Sequence, residues 1–87
     1  MILQKADSEI ASEIQVAFEE KGYPVKVYLT KPEAGADIGI KLYIALPRDW
    51  SIEKEISSIV WKVLDRYGLI AYIEKVWSSS GTDDRQA

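Results

Sequence analysis

The sequence predicts an α+β fold in which two helices pack on one face of a small mixed three-stranded sheet, in the order α-β-β-α-β. Three observations predict it. Ile38, Ile40, Leu42, Ile44 and Leu46 alternate with Gly39, Lys41, Tyr43 and Ala45, the period of a strand with one buried face. Ile52, Ile56, Ile59, Val60, Val63, Leu64 and Tyr67 form a continuous apolar stripe at helical spacing. Between the periodic segments lie the turn formers Gly22, Pro24, Pro32, Gly35, Pro47 and Gly68.

Taken in order, Met1 to Ala6 is a short mixed lead-in. Asp7 or Ser8 offers a side-chain oxygen to the first free amides of a helix. Ile10, Ala11, Ile14, Ala17 and Phe18 share one face of that helix, and Gly22 fits the left-handed residue that closes it. Pro24 keeps the helix from continuing. Val25, Val27 and Leu29 alternate with Lys26, Tyr28 and Thr30 in a first strand, and residues 31–37 form a loop with Pro32 and Gly35 as turn formers. The second strand runs from Ile38 to Leu46, antiparallel to the first, and Pro47 stops it. Asp49 or Ser51 caps the second helix, and Trp50 at its entry staples it to the sheet. Gly68 ends that helix, and Leu69 to Trp77 is apolar enough for an interior or partly covered strand. Ser78 to Ala87 is polar, the composition of a disordered tail, which leaves residues 1–77 as one domain.

Composition narrows the chemistry. The 87 residues contain no cysteine and no histidine. Disulfides, thiolate or classical zinc sites and histidine-based acid–base catalysis are therefore excluded. A chain this short buries only about 60–65% of its unfolded surface. The net charge of −3 and the absence of an RNP-like motif argue against nucleic acid as a partner. No apolar run approaches the length of a membrane span and no signal-peptide core opens the chain, so the expected location is cytoplasmic.

From Val25-Lys26-Val27-Tyr28-Leu29, through Ala36-Asp37-Ile38-Gly39-Ile40-Lys41-Leu42-Tyr43-Ile44-Ala45-Leu46-Pro47, to the helix and turn from Ile56 to Ile70, the chain resembles the minimal nucleotidyltransferase domain of the polymerase-beta-like superfamily. The resemblance covers roughly residues 10 to 77. It implies a nucleotide phosphate near Thr30, Lys31 and Lys41, and Mg²⁺ at Asp37, which is also the one candidate catalytic residue. It further implies a helical protein partner of the kind such domains have in two-gene modules. The chain departs from the family at its chemistry. Thr30-Lys31 stands where the family has Gly-Ser, Gly39 stands where the family has its second acid, and Ile70, Ala71 and Tyr72 are not acids. Two-metal transfer needs several carboxylates around ions roughly 3.5–4 Å apart. The resemblance therefore implies a catalytically weak or inactive domain acting as a binding or regulatory module. An enzyme would require Asp37 to converge with another acid such as Glu33 or Glu74.

A second class of function fits the same element order. Small homo-oligomeric assembly domains of the ring-building type need no ligand. Tyr28, Tyr43 and Tyr72 are expected together on the bare sheet face, with Trp61 beside the second helix's stripe and Trp77 at the end of the last strand. Exposed aromatic surface of this kind points to self-association, as a dimer or larger, or to a protein partner.

Overall fold

The computed structural model describes residues 6–77. The polar segment 78–87 and the first five residues lie outside the described residues. Helix α1 spans Asp7–Lys21, strand β1 Val25–Thr30, strand β2 Ile38–Ile44, helix α2 Trp50–Asp65 and strand β3 Ala71–Trp77. The sheet order is β1-β2-β3, with β1 antiparallel and β3 parallel to β2. This is the α+β architecture that the alternation and the helical stripe predict.

The helix ends follow from local chemistry. The N-cap of α1 is Ala6, not Asp7 or Ser8, because Glu9 reaches back to accept from the Ala6 amide at 3.2 Å. Asp7 instead joins Glu9 in the first turn, where the free amides and the helix dipole favour negative charge. Gly22 adopts φ 78°, and the Tyr23 amide donates back to the Phe18 carbonyl, so the left-handed residue closes α1. Asp49 caps α2, its Oδ2 accepting from the amides of Ser51 and Ile52. The Ser51 hydroxyl and these amides hold its carboxyl below the usual carboxylate range.

Two strand limits differ from expectation for related reasons. The amide of Leu69 donates to the Leu64 carbonyl and completes the end of α2, so β3 starts at Ala71. Strand β2 stops at Ile44 rather than Leu46, although the Ala45 amide still reaches the Pro24 carbonyl at 3.0 Å. The most buried strand is β2, and β3 lies at the sheet edge with all seven residues half-buried, the partly covered strand of the two its apolar content allows rather than an interior one.

One hydrophobic cluster joins the layers. Ile38, Ile40, Leu42 and Ile44 of β2 are wholly buried beneath Ile14 and Phe18 of α1 and Ile56, Val60 and Leu64 of α2. Each such side chain stabilises the fold by about 1.5–3 kcal/mol relative to exposure. Trp50 does not staple α2 to the sheet: it is 73% exposed, with the Lys54 ammonium 5.9 Å from its ring centre.

The start of the outer edge of β1 is covered by one side chain. Gln15 of α1 donates through Nε2 to the Val25 carbonyl at 2.8 Å and accepts at Oε1 from the Val27 amide at 2.8 Å. Its carboxamide stands in for a stretch of neighbouring strand. Gln15→Ala is expected to lower stability by about 1–2 kcal/mol in urea unfolding, since two half-buried backbone groups lose their partner. Unchanged stability would show that water replaces the carboxamide at no cost.

Candidate binding surface on the open sheet face

Strand alternation divides the sheet. Its helix face carries the aliphatic core, and its other face carries Lys26, Tyr28 and Thr30 from β1, Gly39, Lys41 and Tyr43 from β2, and Tyr72, Glu74 and Val76 from β3. No helix packs against this second face among the described residues. Lys26 stands opposite Tyr43, Tyr28 opposite Lys41, and Thr30 opposite Gly39.

The centre of the open face is a small aromatic and charged cluster. The rings of Tyr28 and Tyr43 meet edge to face, 5.4 Å apart at 85°. The Lys41 ammonium lies 5.4 Å from the Tyr43 ring centre and 3.8 Å from Glu74. Hydrogen bonding with Tyr43 and the nearby charge of Glu74 raise the Lys41 pKa above the usual lysine value. Beside these groups is a shallow hollow of about 520 Å³ lined by Lys26, Tyr28, Leu29, Thr30, Lys41 and Tyr43. Tyr28 is 52% and Tyr43 40% exposed, so ring faces are presented to solvent.

The corner where β2 begins is organised differently. The Asp37 amide donates to the Ile70 carbonyl at 2.7 Å, and the Ile70 amide donates to Asp37 Oδ2 at 3.0 Å. This reciprocal pair fastens the start of β2 to the start of β3. Two residues on, Gly39 has no room for a side chain. A Cβ there would lie 2.3 Å from the Thr30 carbonyl oxygen and 2.8 Å from the backbone of Lys31 and Pro32. The chain leaving β1 crosses directly over the position at which a second acid would project. The connection then turns at Ala34 and Gly35, both left-handed at φ 56° and 76°, with the Ala36 amide bonded to the Glu33 carbonyl.

The candidate residues named from sequence thus separate into groups. Thr30 and Lys41 share the hollow, while Lys31 contributes backbone over Gly39 and an exposed side chain. Tyr28 and Tyr43 are in contact, and Tyr72 stands on the same face opposite Gly39. Trp61 lies outside this surface on α2, and Trp77 packs against the core from the helix face. Glu74 is paired with Lys41, two positions along from Gly39. Among the described residues, no three acids, histidines or cysteines are grouped to hold a metal ion. Lys26 carries no motif in the sequence, but its parity with Tyr28 places it on the same face.

Compared with protein-family models, curated proteins and solved structures, the chain matches none. No helix among the described residues is long and apolar enough to cross a membrane.

The covered position has a measurable consequence. Gly39→Ala is expected to cost about 2–3 kcal/mol in thermal or urea unfolding, because the clash is with backbone rather than a flexible side chain. A neutral Gly39→Ala variant would show that residues 30–32 do not lie over β2.

Proposed function

We propose that this domain is a non-catalytic interaction module of nucleotidyltransferase-like build. Its open sheet face binds a protein partner, and that partner takes up the exposed rings of Tyr28 and Tyr43 between the charges of Lys26, Lys41 and Glu74. The observation that carries this reading is the backbone of Thr30, Lys31 and Pro32 over Gly39. A two-metal site needs a second carboxylate beside Asp37, and that space is filled by main chain. The Asp37 carboxylate is bonded to the Ile70 amide, which supports a structural role for it. The exposed, mixed aromatic and charged face has the composition of a protein-binding surface, where tyrosine supplies contact area at low entropic cost. A helical partner, such as the resemblance implies, would lay one face across the three strands.

An amide NMR titration with ATP, with and without Mg²⁺, tests the non-catalytic part of this reading. No saturable shifts are expected from Thr30 to Lys41 at millimolar nucleotide. Mg²⁺-dependent shifts there that vanish in Asp37→Ala would overturn it and restore a nucleotide site.

A further inference from the structure

The two edges of the sheet are treated unequally. Gln15 covers the first outward groups of β1, at Val25 and Val27, whereas no described element lies along the outer edge of β3. The Asp37 and Ile70 hydrogen bonds fix which β3 groups face outward. Ile70 turns its amide and carbonyl toward β2, so by alternation Tyr72, Glu74 and Val76 do the same. Ala71, Ile73 and Lys75 therefore direct their amides and carbonyls away from the sheet.

An open edge is usually guarded by charge, and lysine is the common guard. Here both charges of β3 are drawn inward. Glu74 pairs with Lys41 at 3.8 Å on the open face, and Lys75 pairs with Glu53 of α2 at 3.6 Å on the helix face. Among the described residues, the outward backbone of Ala71, Ile73 and Lys75 has no partner, and Tyr72 and Val76 flank it on the open face.

We infer that β3 pairs antiparallel with β3 of a second copy of this chain, joining two sheets into one of six strands. The sequence of β3 is complementary to itself about a two-fold axis at Glu74. That register pairs all seven residues. Ile73 and Lys75 of each copy become a hydrogen-bonded pair, as their outward backbone groups require. Ala71 faces Trp77, small against large, and Tyr72 faces Val76, an aromatic and β-branched pair of the kind that stabilises sheets. The one unfavourable pairing is Glu74 with itself, and a Lys41 stands beside each copy. Because the axis is two-fold, the contact is isologous and consumes the β3 edge of both copies, so it ends at two chains.

Helix α2 fits the same arrangement. Trp50 and Trp61 are eleven residues apart and so about 20° apart around the helix axis. Glu55, whose carboxylate accepts from the Tyr23 hydroxyl, and Lys62, which lines the groove with α1, mark the α1 side of the helix. Glu53 marks the β3 side. Counting round the helix, the two tryptophans follow Glu53 on the flank away from α1, 73% and 38% exposed. Joining two β3 edges brings these flanks toward each other over the extended sheet. This inference is independent of what the open face binds, since that face stays free in the dimer.

Sedimentation velocity on the full chain, from about 5 to 500 µM, tests the inference alongside two folded variants. The wild type is expected to sediment as a monomer–dimer equilibrium with nothing larger. Glu74→Gln removes the like charges at the axis and is expected to tighten the dimer about threefold or more. Val76→Glu adds acids beside them and is expected to weaken it by at least as much, with circular dichroism unchanged. A chain that stays monomeric throughout overturns the inference. A dimer that ignores both substitutions but is lost in Tyr28→Ala also overturns it, since association would then run through the open face.

Discussion

The structure depends on the alternation along β2. This strand is paired on both sides, and its odd and even positions meet opposite demands. Ile38, Ile40, Leu42 and Ile44 are wholly buried under both helices, while Lys41 and Tyr43 stand on a face that no described helix covers. A slip of one residue would exchange these sets and bury a lysine and a tyrosine in the core. The register with β1 and β3, the seat of the helices and the content of the open face all follow from it.

Gly39 is where the alternation meets the functional question. It lies on the open face, and the chain leaving β1 folds over it so closely that even a methyl group would collide with main chain. The same residue therefore permits the sharp exit from β1 and leaves no space for an acid. Two residues earlier, Asp37 bonds to the Ile70 amide and ties the entry of β2 to that of β3. In a domain this small, a carboxylate that fastens two strand ends has a sufficient structural reason to be present. The exposed groups that remain on this face are the tyrosines and charges lower on the sheet.

Much of the fold was legible because it is written in periodicity. The β2 alternation, the α2 stripe and the glycines after each helix located all five elements, and the shared face of Tyr28, Tyr43 and Tyr72 followed from strand parity. The departures share a cause, which is that ends are set by single hydrogen bonds. Glu9 rather than a side chain at Asp7 or Ser8 completes the start of α1, and the Leu69 amide belongs to the close of α2 rather than to β3. The role of Gln15 has no periodic signal, since it depends on α1 crossing the β1 edge at one height. The placement of β3 at an edge was hidden for a related reason. Its apolar content reads as partial cover as readily as burial, and Lys75 falls on the helix face by strand parity, where Glu53 of α2 pairs with it. The covering of Gly39 could not be read at all, since it depends on the path of the loop and not on the residue.

Native-state amide hydrogen exchange tests the central place of β2 most directly. The amides of Ile40 to Ile44 are predicted to exchange only through global unfolding, more slowly than those of α1 or of the β1 and β3 edges. Equal or faster exchange in β2 than in the edge strands would contradict the account, because the strand that sets the register would then open before the elements it organises.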